Sequence, residues 1–520
     1  MRRCLYGVVW LLACSESTGV LSACAGTDCR LPASLTLAAT LDPPVDSALS
    51  GAEFPPEELV QDSDGVLQLA FPESIETTLS AVAADAPETR IAAQILLSRP
   101  SRIAGQPDVL VQVDTTSDMP AVTRTNLGAA YDVVVTPAAP EDERYLRVAL
   151  HGVDLDSGAL ELPLQEPGEA IQGTLNALAS LDVHVRLQGS RDDSEERTTV
   201  ARVRPGDEFA MKALDVAGQW RVGAEVTFVD PADKATELPN LHLDIEALVV
   251  CEAAPCVLSL PAVPTGSAPV PRRHTIEVTG VDPAGISVAI PGVYVDLRST
   301  VPAIGVESAT ISAQAVTRKD GTAEVYLLDG RGYDVDLRAG GSGFASTTTA
   351  VSVPEGTQED RLIFNLEIGP RLAGTVVAAH PTDDRAGLAG VVVLPSPSPG
   401  QGDESPSGGV TAPPTTDDQG AFSVRLDPGV YDLDLTPPQG SGYPRWSSDN
   451  VQAFEDTSGL QVVLPDGVLI PVHVRAMGGP VGGATLRILA ISETEGRPPR
   501  ERAQGMTDPL GDATVLLPNP

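Results

Sequence analysis

Thr416-Asp417-Asp418-Gln419-Gly420-Ala421-Phe422-Ser423-Val424-Arg425-Leu426, continuing as Asp427-Pro428-Gly429-Val430-Tyr431-Asp432-Leu433-Asp434-Leu435, is the stretch whose reading decides the fold. Aspartate and glycine ahead of an alternating run make a tight turn into a strand, because glycine takes a positive φ without strain and aspartate bonds nearby backbone. Pro428-Gly429 is a second turn, and the run from Tyr431 is the return strand of a hairpin. The same hairpin recurs from Lys319-Asp320-Gly321 to Gly332-Tyr333-Asp334-Val335, one loop residue longer. A phrase that recurs marks copies of one small β module, so the chain is an array.

Fainter copies follow the same ruler. Val122 to Thr125, then Gly128, lead to Tyr131-Asp132-Val133, and Gly218-Gln219-Trp220 carries tryptophan in the tyrosine's place. Asp62-Ser63-Asp64-Gly65 before Val66-Leu67-Gln68-Leu69 reads as a more degenerate copy. Thr507-Asp508-Pro509-Leu510-Gly511 begins the phrase once more and runs into Val515-Leu516-Leu517, but its tyrosine would fall past Pro520. The last module is therefore expected to be incomplete, as in a truncated reading frame or a fragment.

Opening strands precede the good copies. Leu372-Ala373-Gly374-Thr375-Val376-Val377 leads to Gly387-Leu388-Ala389-Gly390-Val391-Val392, and Ile470-Pro471-Val472-His473-Val474-Arg475 leads to Gly478-Gly479-Pro480-Val481-Gly482-Gly483-Ala484. Together with the Thr-Asp-x-x-Gly and Pro-Gly-x-Tyr phrases, these residues resemble the carboxypeptidase regulatory-like domain, best over 368–440 and 466–520. The resemblance implies an all-β chain, a tandem array of Ig-like or transthyretin-like β-sandwich modules. It implies accessory or structural modules, not peptidase activity.

Composition agrees with sandwiches: 48 glycines and 46 prolines supply frequent turns, and aromatics make up only 4% of the 520 residues. The expected division is a signal peptide over 1–13, an anchor, tether and degenerate β module over 14–90, and modules over 91–165, 166–262 and 263–366. A carboxypeptidase regulatory-like module over 367–464 and an incomplete one over 465–520 follow. The Pro/Ser/Gly-rich 395–416 reads as a long mobile loop inside its module.

Arg2 and Arg3 followed by the apolar run Cys4 to Ala13 form an export signal too short to span a bilayer. Leu11-Leu12-Ala13-Cys14 resembles a bacterial lipobox, which implies a lipid on Cys14. Leu21-Ser22-Ala23-Cys24 is the alternative, and an ordinary secretory signal the plainer reading. Export makes disulfides the expected state of the remaining cysteines, Cys24 with Cys29 and Cys251 with Cys256, each pair with four intervening residues. Zinc is the weaker reading, since structural zinc sites show shorter spacing and a second pair nearby.

A formal net charge of −37 with only three lysines argues against nucleic acid and against polybasic lipid contact. Asp62 with Asp64, and Asp417 with Asp418, are calcium candidates, but neither continues into a twelve-residue loop ending in glutamate, so turns are the preferred reading. The sequence has no His-Glu-x-x-His, Gly-x-Ser-x-Gly or Gly-x-x-x-x-Gly-Lys-Ser/Thr motif. His151, His184, His242, His274, His380 and His473 are scattered, with His184 and His473 at matching positions of alternating strands. Tyr131, Trp220, Tyr333 and Tyr431 are read as buried corner residues, and Gly321, Gly420 and Gly511 as turn formers. No cofactor is expected. The reading is a non-enzymatic lipoprotein of the bacterial envelope, expected at the outer membrane, acting as a structural stalk or interaction scaffold with an envelope protein or glycan partner. An exported carbohydrate- or peptide-binding module is the alternative.

Overall fold

Alternation builds nearly every element. In Val183–Arg191, for example, Val183, Val185 and Leu187 are buried while the residues between them face outward. The computed structural model describes residues 30–519 except 46, 48, 175–182, 192–194, 231–232, 234–235, 255, 259–270, 301–307, 355–360, 380–386, 400–411 and 493–496. Cys14, Cys24, Cys29, His380 and the signal segment lie outside the described residues. Those residues form β-strands and two short 3-10 turns, arranged as packed sheets with apolar interiors. The fold is all-β and built of sandwiches.

One strand plan repeats, and 371–464 (sandwich D) shows it most plainly. Arg371–Ala378 is flanked by Ala421–Arg425, antiparallel, and Thr457–Leu464, parallel. The facing sheet orders Val392–Pro397, Gly429–Thr436 and Trp446–Ala453. Pro395 to Pro397, expected as loop, thus belong to a strand; Pro395 lies opposite Leu433. Residues 74–164 (sandwich A), 169–258 (B) and 271–366 (C) follow related plans.

The fifth sandwich, E, is assembled from both ends of the chain. Asp466–Ala476 pairs antiparallel with Asp512–Asn519, and on its other side runs parallel to Leu67–Ala70. Thr485–Ala490 pairs antiparallel with Leu37–Asp42, which pairs in turn with Ala52–Phe54. This is the plan of D, with the last three strands supplied by residues 37–70 and one strand more, Arg500–Met506, antiparallel to Thr485–Ala490. The match extends to single bonds: Ser398 N–H donates to Val430 O at 2.9 Å in D, and Ile491 N–H to Thr36 O at 2.8 Å in E. The stretch read as a degenerate N-terminal copy and the module read as incomplete are therefore one sandwich. Asp62 to Leu69 leads into its closing strand instead of starting a new module, and Ser74–Ala83, expected in the N-terminal unit, opens sandwich A.

Leu37, Leu41, Phe54, Leu67 and Leu69 bury their side chains against Ile470, Val472, Leu486, Ile488 and Leu517 across this seam. Contacts between sandwiches run in a cycle. Arg202 pairs with Asp142 and Glu143, both at 2.7 Å, between A and B. Glu237–Cys251 of B pairs with Ser308–Val316 of C, fusing them into one eight-stranded sheet. Ser346 N–H donates to Asp427 of D at 2.5 Å. Arg497 and Arg500 of E hold Asp449 of D at 2.7 and 2.6 Å, and Arg502 stacks on Trp446 at 5.2 Å. Glu53 of E meets Arg99 of A at 2.9 Å, while Ile103 of A packs on Ala38 and Leu489 of E.

Candidate functional site

The repeated residues act inside the modules. Tyr131, Tyr333, Tyr431 and Trp220 are at most 4% exposed. Tyr431 donates its hydroxyl proton to Asp427 O at 2.8 Å, and Trp220 Nε1 donates to Val216 O at 2.9 Å. Asn126 N–H donates to the Tyr131 hydroxyl at 3.0 Å, and Leu328 N–H to that of Tyr333 at 2.9 Å. Each ring thus fills the core while its polar tip fastens the turn four or five residues upstream. Burial pushes the Tyr333 phenol up to about 12 and raises that of Tyr431 as well.

The turn glycines have a steric reason. Gly321, Gly420 and Gly511 have φ of 73°, 73° and 78°, and a Cβ there would lie 2.7, 2.5 and 2.4 Å from Val278 O, Val376 O and Val474 O. Four residues before each stands a buried threonine, Thr317, Thr416 or Thr507. Each hydroxyl accepts from a strand-end N–H, of Val293, Val391 and Ala484, at 2.9 Å. It also donates back to a carbonyl of the same loop. Thr115 does the same in sandwich A, between Ala93 N–H and Ile91 O. The fixed Thr-to-Gly spacing was the signal for this residue's role, which motif reading alone left unassigned.

The calcium candidates sit in turns. Asp62 Oδ1 accepts from Asp64 and Val66 N–H, both at 2.9 Å, and Asp417 Oδ1 from Gln419 and Ala421 N–H at 2.9 and 2.8 Å. The bond from Val66, then that from Gln68, holds the Asp62 carboxyl below its ordinary range. Asp64 and Asp418 are exposed beside them. Among the described residues no three His, Cys, Asp or Glu side chains gather as a metal set. Cys251 and Cys256 form a disulfide across a turn, Cα atoms 5.4 Å apart.

His184 and His473 do occupy outward strand positions, each with Nδ1 2.8 Å from a carboxylate, Glu237 and Asp512 respectively. His151 lies between Asp132 at 3.3 Å and Glu195 at 3.6 Å, where A meets B. Among the described residues the histidines are not brought together as a ligand set.

One outward-facing, shaped surface is the polar face of the eight-stranded sheet. Cross-strand register aligns Arg186, Glu225, Asp244 and Thr310 in one row, and His184, Thr227, His242, Ser312 and Arg298 in the next. Two adjoining open clefts, of about 410 and 590 Å³, share Arg186 and Glu225. Arg186 is held loosely, 3.7 Å from Glu225 and 4.0 Å from Asp142, and Arg221 lies 3.3 Å from Glu246. Desolvation by the surrounding face, then the neighbouring Glu225 carboxylate, raises the Asp244 carboxyl. The result is an alternating set of guanidinium donors, carboxylate acceptors and hydroxyls, suited to hydrogen bonding with a polar ligand lying across strands. Sequence reading did not find this face, because its members lie on separate strands of sandwich B, with Thr310 added from C, and only the cross-strand register brings them together.

The chain matches no family model and no curated protein. Its carboxypeptidase regulatory-like phrases therefore stand as a resemblance. Among solved structures, the minor pilin GBS52 of Streptococcus agalactiae is similar at 15% identity and TM-score 0.22, over 38% of this chain and 96% of that one. The shaft pilin SpaA of Lactobacillus rhamnosus GG gives 12% and 0.22, over 38% and 98%. The Bacillus anthracis TIE protein gives 11% and 0.19, over 76% and 75%. At TM-scores this low they say nothing about what this chain binds or does.

Proposed function

We propose that this chain is an exported, non-enzymatic scaffold of the bacterial envelope, lipid-anchored through Cys14 (Cys24 is the alternative), whose sandwiches present the outer face of the eight-stranded sheet to an envelope glycan or protein. The observation that carries the scaffold reading is the use of the recurring residues: tyrosine, threonine, aspartate and glycine all serve the internal fastening of each module. Selection of the same residues for packing is what a structural array needs. The Cys251–Cys256 disulfide suits an oxidising compartment. From Cys14, the stretch to Leu31 reaches at most about 60 Å when extended, so a lipid there would keep Leu31 within that distance of the membrane.

The test is fatty-acid labelling in the native cells of wild type, Cys14→Ala and Cys24→Ala, followed by protease treatment of intact cells. Loss of label with one cysteine, and shaving of the protein from the cell surface, is the expected result. Release of an unlabelled soluble protein overturns the anchor and favours the second reading, a secreted carbohydrate- or peptide-binding module, which the polar clefts support.

A further inference from the structure

We propose that the seam of sandwich E also joins one copy of this chain to the next: residues 31–71 of one copy complete strands 466–519 of a second, giving head-to-tail linkage by strand exchange.

Neither half of the seam forms a sandwich by itself. Within 31–71, Leu37–Asp42 and Ala52–Phe54 pair over three residues, and Leu67–Ala70, beyond a single bridge from Leu67 to Gln61, has Asp466–Ala476 as its ladder partner among the described residues. The segment has no sandwich of its own. Strands 466–519 in turn present an apolar face: Ile470, Val472, Val474, Leu486, Ile488 and Leu517, each at most 1% exposed, share one core with Leu37, Leu41, Phe54, Leu67 and Leu69 of the segment. Uncovered strand edges beside such a face are strong templates for pairing.

Every bond across the seam forms equally well between copies, since the register joins residues 37–42 to 485–490 and 67–70 to 472–475 and nothing in it depends on chain connection. Closure within one chain demands more. All the junctions A–B, B–C, C–D and D–E must curve so that the ends meet, whereas exchange between copies leaves those junctions free. Synthesis favours the encounter as well. The segment emerges roughly 400 residues before its partner strands, a wait of about 20–80 s at ordinary elongation rates. Ser101 and Arg99 bind Glu53, so the segment is offered on sandwich A as a unit.

Thr40 and Arg487 lie directly opposite each other across the seam and face outward. Full-length Thr40→Cys and Arg487→Cys proteins, one of them nitrogen-15 labelled, are unfolded, mixed, refolded and oxidised, and the disulfide-linked peptide is sought by mass spectrometry. In this mixture a 40–487 disulfide can form only between copies. The proposal expects it, with a yield that rises with protein concentration, and expects the double variant to give a ladder of multimers beside the internally closed monomer. A double variant that closes only within single chains, with no 40–487 disulfide in the mixture at any concentration, overturns strand exchange. A double variant that forms no 40–487 disulfide at all overturns the seam itself.

Discussion

Sandwich D and sandwich E share a strand plan, but D folds from one continuous stretch and E from the two ends of the chain. In D every strand is near its partners in sequence, and the Tyr-Asp phrase marks the central return strand. In E the equivalent strand is Leu37–Asp42, where Leu37 stands opposite Ala490 as Tyr431 stands opposite Pro397. The difference shows that the plan is set by the apolar alternation and the turn glycine, which E keeps, and not by the tyrosine, which E lacks. It also makes the stability of E a long-range matter, since its closing contacts carry the loop-closure cost of the whole chain.

The largest effects are expected at the turn glycines. Gly420→Ala and Gly511→Ala each force a Cβ against a backbone carbonyl from a left-handed φ, and each is expected to cost about 4 kcal/mol in its own sandwich. Limited proteolysis separates the two: Gly420→Ala opens 371–464, whereas Gly511→Ala exposes residues 31–71 and 466–519 together. Next, Leu41→Ala and Leu435→Ala remove equivalent fully buried side chains, and each is expected to cost about 3 kcal/mol by denaturant unfolding. The Leu41 change should shift the transition that reports on both termini.

A third test uses pH. The Tyr333 phenol stands at about 12 when folded, against an ordinary 10. Between those values the unfolded chain releases this proton and the folded chain keeps it, so the stabilisation is complete below pH 10 and lost as pH rises toward 12. Sandwich C should lose about 3 kcal/mol over that range. E, with Leu37 at the tyrosine position, has no corresponding loss, and thermal melts followed by tyrosinate absorbance check this. The smallest effect is expected at the Cys251–Cys256 bond, where Cys251→Ser/Cys256→Ser opens a short loop and costs about 2 kcal/mol in sandwich B.

Much of this architecture was legible from local chemistry. The Asp-x-x-Gly turns, the alternating strands and the corner aromatics announced sandwiches because each is decided within about twenty residues. The matching outward places of His184 and His473 were legible for the same reason. The partnership of Leu37–Asp42 with Thr485–Ala490 was not, since an alternating apolar strand carries no address for a partner on the far side of four other sandwiches. The eight-stranded sheet was hidden likewise: nothing local in Leu241 to Glu246 distinguishes an outer edge from one that accepts Ser308 to Ala313. The row from Arg186 through Glu225 and Asp244 was hidden within sandwich B by its cross-strand register, and its extension to Thr310 by the inter-module pairing.

The most direct test of the shared sandwich is amide hydrogen exchange on the full chain and its Leu41→Asp variant, which places a charge in the core that both termini build. Protection is expected to fall together in 37–42, 67–70, 466–476 and 485–490, while 371–378 and 429–436 of sandwich D keep theirs. Unchanged protection across 466–476 and 485–490 in the variant, with only the N-terminal strands exchanging faster, would contradict it.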